Sequence, residues 1–354
     1  MKKLLFVAAI ASMALVSCDS KEKEEVVLDP TGTIEMSVKD IPWDGASVEA
    51  NVVTEFEWSI TIADTTVFQV VPSSGKGNTK VVATLAKNTT NQAIPVSAKI
   101  TFVNKDKTFE IPVLFAIPAP SLTFGGETYS VAYMKDGKYW MSENLRYVPE
   151  GMTVYEPSKD NADAKIWYPA VIEQDAASGK FVAAASKDEA VIAAQGLLYS
   201  PEYVLGGAYN DSVDFADAVY TTAICPEGWH IPTAQEWIDL VGACADKSKN
   251  NENAPYYSAD LSGASLEELN KDGLNLLPYP YVNNTSYLCS VLNVDSTRVY
   301  NGMNSMSYYL SATGTVGKNI QGYAAMITNN KTKTSVNVAK ANLNTGISVR
   351  YVKD

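Results

Sequence analysis

The chain has 354 residues, enough for two domains with cores of their own, and carries 28 basic against 40 acidic residues for a formal net charge of −12. That balance argues against nucleic acid and against electrostatic adhesion to anionic lipid, since both call for a basic face. With 46% hydrophobic and only 19% charged residues, a disordered chain is excluded as well.

Lys2 and Lys3 precede an apolar run from Leu4 to Val16. The run is too short for a membrane span, which takes about 20 apolar residues, and its basic start marks residues 1–17 as a signal peptide. Leu15-Val16-Ser17-Cys18 closes the run with small residues ahead of a cysteine. That is the pattern at which a bacterial lipoprotein is cut and acylated, so Cys18 is the expected lipidation site. A lipid there holds a protein to a membrane without spanning it. Cleavage removes Lys2 and Lys3 and no acidic residue, so the formal charge moves from −12 to −14. Asp19-Ser20-Lys21-Glu22-Lys23-Glu24-Glu25 cannot bury itself, and residues 18–30 are expected to form a solvated tether. This stretch resembles the acidic export signal behind the lipidated cysteine of Bacteroidetes surface lipoproteins. The resemblance implies an outer-membrane protein facing the cell exterior.

Residues 31–118 read as a run of short strands. Val48, Ala50 and Val52 alternate with polar neighbours, as do Trp58, Ile60 and Ile62. Val96, Ala98, Ile100 and Phe102 form a further period-2 face, and Phe109, Ile111, Val113 and Phe115 another. Turn chemistry separates them at Pro72 to Asn78, Asn88 to Asn91 and Asn104 to Lys107. The pattern predicts an all-β antiparallel sandwich. Trp58-Ser59-Ile60, the stretch Phe68 to Asn78 with its Pro-Ser-Ser-Gly-x-Gly-Asn turn, and Lys87-Asn88 resemble, in that order, a BACON domain. That is an Ig-like module of Bacteroidetes surface proteins, so the resemblance implies an Ig-like sandwich. Pro112 and Leu114-Phe115-Ala116 depart from the usual polar ending. No glycan site is carried over, and the domain is read as a rigid stalk in which Trp43 and Trp58 pack.

Ile117-Pro118-Ala119-Pro120 is a stiff joint, and residues 119–354 form the expected second domain. One helix is announced there, with Thr233 as its cap and Glu236 reaching back in a capping box. Trp237, Leu240, Val241 and Cys244 fall on its core-facing stripe. A second helix is predicted over Ser265 to Lys271. Tyr139-Trp140-Met141-Ser142-Glu143-Asn144-Leu145, Gly196-Leu197-Leu198-Tyr199, the block from Cys225 to Trp237, Tyr308 to Thr313 and the ending Gly346 to Asp354 resemble the Fibrobacter succinogenes major paralogous domain. Trp229 to Trp237 is also similar to a motif of formylglycine-generating enzymes. Their α+β, C-type-lectin-like fold is what the resemblance implies for this domain. The family commonly has cysteine where this chain has Tyr351, so the resemblance implies that a Cys225 bridge to the C-terminal strand is missing here, and Cys225–Cys289 is the expected substitute. Residues 155–195 look like an insertion.

Enzymatic chemistry finds little to work with. His230 is the only histidine, and it lies inside the helix-start motif, where packing and hydrogen bonding near the cap are its expected role. There is no CxxC pair and no Cys/His cluster at metal spacing, so neither metal nor any other cofactor is expected. The cysteine pair with which formylglycine-generating enzymes bind copper has no counterpart, and no spacing singles out two of the 40 acids as a glycosidase pair. Binding is the expectation instead. Tyr256, Tyr257, Tyr279, Tyr281, Asn283 and Tyr287 lie in a tyrosine-, asparagine- and proline-rich stretch, which offers rigid aromatic faces and amide hydrogen bonds. The alternative is that these tyrosines pack over an irregular loop. Thr65, Ser212 and Ser296 sit in tripeptides resembling the Asp-Ser/Thr-x acceptor of Bacteroidetes O-glycosylation. The function expected from the sequence is therefore a non-catalytic surface lipoprotein whose lectin-like head binds a glycan. The competing class is a structural or adhesive envelope or fimbrial accessory protein with protein partners.

Overall fold

The computed structural model describes residues 27–36, 40–157, 164–174, 176, 179, 181–205, 224–244, 270–276, 281–284, 298–301, 306–315, 321–330, 333–342 and 346–354. It is rich in β-structure and divides into two compact units, residues 1–120 and 121–354. Among the described residues no helix is long and apolar enough to cross a membrane.

Among the described residues eight strands build the first unit: β1 (Thr33–Met36), β2 (Ala46–Val53), β3 (Glu57–Ile62), β4 (Phe68–Val71), β5 (Ser74–Lys76), β6 (Thr79–Leu85), β7 (Ile94–Asn104) and β8 (Lys107–Ile117). They form two four-stranded sheets, ordered β1-β2-β6-β4 and β5-β3-β7-β8. Both sheets turn their alternate residues into one core. Ala50 and Val52 of β2, Val81, Ala83 and Leu85 of β6, and Phe68 and Val70 of β4 come from the first sheet. Trp58 of β3, Val96 to Phe102 at alternate positions of β7, and Ile111 and Ile117 of β8 come from the second. Phe68 meets Phe115 edge-on across the core at 5.3 Å. The period-2 faces predicted on β2, β3, β7 and β8 all point inward, because a strand with one wet face has no other way to bury its apolar residues.

The stretch from Pro72 to Asn78 is more than the turn predicted for it. Ser74–Lys76 is an edge strand paired with β3, with Gly75 opposite Trp58. Trp58 donates its indole N–H to the Gly77 carbonyl at 3.2 Å, and Asn78 Oδ1 accepts the Thr54 N–H at 2.8 Å. The turn residues are thus spent on seating the buried tryptophan.

The chain enters and leaves this unit at fixed points. Asn104 Nδ2 donates to the Leu28 carbonyl at 2.7 Å, and Lys107 Nζ donates to the Val27 carbonyl at 2.6 Å while pairing with Asp29 at 2.8 Å. Residues 27–29 are therefore tied to the tip of the β7–β8 hairpin. The exit is held by Asn88, which is fully buried. Its amide donates to the carbonyls of Pro118 at 2.7 Å and Gln92 at 2.8 Å, and its Oδ1 accepts the Thr90 N–H at 2.9 Å.

The second unit begins with β9 (Ser121–Phe124), β10 (Glu127–Tyr133) and β11 (Tyr139–Met141). Then come β12 (Ile166–Trp167), the hairpin β13 (Ala170–Gln174) and β14 (Phe181–Ala185), α1 (Glu189–Gln195), β15 (Leu198–Tyr199) and α2 (Pro201–Val204). The stretch read as an insertion thus contains a hairpin and a helix capped by Asp188, whose Oδ1 accepts the Ala190 N–H at 2.7 Å. Beyond it lie β16 (Trp229–His230), α3 (Ala234–Cys244), β17 (Tyr281–Asn284), β18 (Arg298–Asn301), β19 (Met306–Thr315), β20 (Gln321–Asn330), β21 (Lys333–Asn342) and β22 (Val352–Lys353). A five-stranded sheet of order β16-β22-β11-β10-β9 is the frame, and β19-β20-β21 form a second sheet against which α3 packs. Trp237, Leu240 and Val241 of α3 are buried with Trp140, Tyr309, Val352, Leu274 and Leu276, so these three positions of the predicted stripe face the core. Of the second predicted helix, only Asn270 and Lys271 are described, and they are helical.

Candidate functional site

The best-defined polar constellation sits where α3 begins. Thr233 Oγ1 accepts the Glu236 N–H at 3.1 Å, and Glu236 Oε2 accepts the Thr233 N–H at 2.8 Å, closing the predicted capping box. Glu236 does more than cap. Its carboxylate also receives Lys138 Nζ at 2.7 Å and His230 Nε2 at 2.8 and 2.9 Å. Lys138 is delivered by the turn between β10 and β11, where Gly137 takes a positive φ of 82° and Asp136 Oδ1 accepts the Lys138 N–H at 3.1 Å. On the other side of the imidazole, Nδ1 lies 2.5 Å from Asp354 Oδ1. Asp354 is itself fixed by its N–H, which donates to the Gly228 carbonyl at 3.1 Å.

Electrostatics follow from this packing. Burial pushes the Glu236 carboxyl up, but His230, Lys138 and the Thr233 N–H outweigh it and hold its pKa at about 2. Burial likewise opposes the charge on His230, yet Glu236 and Asp354 raise its pKa above the ordinary value of 6.5. Nearby, Cys225 is a half-buried free thiol whose Sγ donates to the Trp229 carbonyl at 3.1 Å. Burial, with Asp354 adding, raises its pKa to about 11, which leaves it a poor nucleophile. Both ring nitrogens of His230 thus meet carboxylates, one on each side of the ring. The arrangement fastens elements together.

A second, deeper cluster surrounds Arg350, which is 1% exposed. Its Nε donates to Asn144 Oδ1 at 2.7 Å, its Nη2 to the Asn275 carbonyl at 2.9 Å, and its Nη1 to the carbonyls of Leu274 and Met141. The guanidinium also lies 5.1 Å from the centre of the Tyr309 ring. Asn144 completes the set by donating to the Gln195 carbonyl at 2.9 Å. Among the described residues no group of three or more His, Cys, Asp or Glu side chains is placed to hold a metal ion.

The model of the Fibrobacter succinogenes major domain matches residues 136–353, more than half of the chain. The chain belongs to the Fibrobacter succinogenes major domain family. The matched span runs from Asp136, in the Lys138 turn, to Lys353, and so takes in both clusters except Asp354, one residue beyond it. A search of curated proteins found no match. Among solved structures the chain is similar to a yeast GGA1 GAE domain, at 10% identity and a TM-score of 0.18, over 25% of this chain and 91% of that one.

The residues singled out from the sequence fall unevenly. Tyr281 and Asn283 lie two apart on β17, opposite Asn301 and Val299 of β18. Tyr256, Tyr257, Tyr279 and Tyr287 lie outside the described residues, as do Cys18, Cys289, Ser212 and Ser296. Thr65 is exposed in a turn where Asp64 Oδ1 accepts the Thr66 N–H at 2.9 Å. Sequence reasoning did not foresee Lys138, Asp354, Asn144 or Arg350 as cluster members. The Thr233-x-x-Glu236 spacing and the place of His230 just before the cap signalled the first cluster, and nothing local signals the second, since its partners are far apart in the chain.

Proposed function

We propose that this member of the Fibrobacter succinogenes major domain family is a non-catalytic, lipid-anchored surface protein of the outer membrane. In this reading an Ig-like, BACON-like stalk presents a C-type-lectin-like head to a glycan ligand. The observation that carries it is the path of the chain through the first unit. Val27 to Asp29 are tied to the start of β8, and the exit at Pro118 is held just past its end. β8 is 11 residues long, so at about 3.3 Å per residue the two points lie roughly 35 Å apart along the strand. A unit whose two ends are pinned at opposite poles holds its entering and leaving segments apart, as a stalk must. The saturated ring of His230 supports a head that binds without catalysing.

The competing reading, an adhesive or structural envelope component with protein partners, has one observation in its favour. Val71 and Val82 stand directly opposite each other on β4 and β6, and they are 66% and 43% exposed. A pair is small for a docking surface, so the glycan reading leads. The test is a glycan array probed with the mature chain, alongside capture of partners from outer-membrane extract. Binding to a sugar class that is lost in the Tyr279→Ala, Tyr281→Ala double variant supports the lectin reading. Silence on the array with a retained protein partner overturns it.

A further inference from the structure

The chain's only histidine stands between two groups that can only accept hydrogen bonds. Glu236 Oε1 and Oε2 lie 2.8 and 2.9 Å from Nε2, and Asp354 Oδ1 lies 2.5 Å from Nδ1. A neutral imidazole has one N–H and one lone pair, so it satisfies one carboxylate and turns its lone pair on the other. Only the imidazolium donates at both nitrogens. We propose that His230 is a protonation-controlled staple, which as imidazolium fastens the end of β22 to the first turn of α3 and as neutral imidazole releases one of the two. The proposal concerns the rigidity of the head and does not depend on what the head binds.

Among the described residues, the elements that meet the ring bring the following groups to it. α3 supplies Glu236, and the turn before β11 supplies Lys138, whose Nζ shares Glu236 Oε1 with the imidazole. The end of β22 supplies Asp354, and its neighbour Lys353 lies over the Trp229 ring at 5.8 Å. The strand that carries His230 comes after Cys225, whose thiol is held protonated by burial. Glu236 and Asp354 thus face Lys138 and the imidazolium when His230 is charged, and Lys138 alone when it is not, while Lys353 is turned onto Trp229. The positive end of the α3 dipole opposes the imidazolium, but Glu236 stands between them. The staple acts on an interior strand, since β22 pairs with β16 through His230↔Val352 and with β11 through Trp140↔Val352.

The direction of the response is fixed. His230 has its proton affinity raised on folding, so its contribution is complete below the ordinary value of 6.5 and is lost as pH rises through the folded value. Glu236 has its pKa depressed to about 2, so its contribution is complete above its ordinary 4.5 and is lost as pH falls. The staple is closed between those limits and opens on the alkaline side.

Because the chain has one histidine, a pH titration of the imidazole 15N and 13C signals of the mature protein reads the staple without overlap. The expected result is a ring protonated at both nitrogens at pH 6, a midpoint above 6.5, and a lower midpoint in Asp354→Asn. A matching thermal series shows the wild type losing melting temperature from pH 6.5 to 9 relative to His230→Gln. Glu236→Gln also weakens the helix cap, so Asp354→Asn is the decisive variant: Asp354 is exposed and takes no part in the capping box. A midpoint at or below 6.5, or one unmoved by Asp354→Asn, overturns the proposal.

Discussion

The cost of single residues is clearest at the turn that seats Trp58. A Cβ added to Gly75 would lie 2.7 Å from Trp58 Cζ2 and 2.9 Å from Cε2, closer than real Cβ contacts allow. Trp58 is 2% exposed and hydrogen-bonded to the Gly77 carbonyl, so it has nowhere to move without losing core contacts or that bond. Gly75→Ala is therefore expected to destabilise the first unit by about 1–3 kcal/mol, the usual cost of overpacking. Chemical denaturation followed by tryptophan fluorescence measures it, and an unchanged midpoint would show that the turn is looser than its geometry. Gly77 is required for a different reason: its φ of +70° is one that side chains rarely adopt. The Pro-Ser-Ser-Gly-x-Gly-Asn string was legible as turn chemistry, but its hold on Trp58, on an earlier strand, was not. Cross-strand partners are set by register, and a local string does not carry register.

At the scale of elements, α3 makes two predictions of opposite sign. Thr233→Ala removes the hydroxyl that accepts the Glu236 N–H and leaves the first turn with one more unsatisfied donor, for a loss of about 1 kcal/mol. Gly242 sits inside the same helix with nothing within 4 Å of an added Cβ and no unusual φ, so Gly242→Ala gains about 0.5–1 kcal/mol by restricting the unfolded chain. Melting temperatures of the two variants should move in opposite directions from the parent, and a loss in both would mean that the Gly242 face is occupied. This helix was legible in the sequence because its cap and its 3.6-residue stripe agree. β2, β3, β7 and β8 were legible for the matching reason, a period of two carried along each strand. α1 was missed because it buries none of its residues, so no stripe marks it. β5 was missed because three residues are too few to show a period.

At the scale of the whole second unit, the last nine residues close the structure. Ile347 exchanges hydrogen bonds with Tyr199 at 2.9 and 3.0 Å, Ser348 accepts the Leu310 N–H at 3.0 Å and donates its own to the Tyr308 carbonyl at 3.1 Å, and Val349 and Tyr351 accept the N–H groups of Leu145 and Met141 at 2.9 Å each. Arg350 reaches Asn144, which lies 206 positions earlier, and the carbonyls at 274 and 275. Val352 then fills the place between β11 and β16. β15, β19, β11 and the segment at 274–276 thus share one partner, and each would be left with unpaired backbone groups in its absence. Buried N–H and C=O groups without partners cost about 1–3 kcal/mol apiece, and marginal domains hold only about 5–15 kcal/mol in total. Deleting residues 346–354 is therefore expected to abolish cooperative unfolding of this unit, with loss of near-ultraviolet dichroism from Trp140 and Trp237 and gain of apolar-dye binding. A deletion variant that still melts in one sharp step would show that the sheet closes without its C-terminal strand. The ending Gly346 to Asp354 was recognisable in the sequence as part of a family pattern, yet its role as the shared partner was not. A strand of two residues and an arginine with distant acceptors acquire their meaning only when segments some 200 positions apart are brought together.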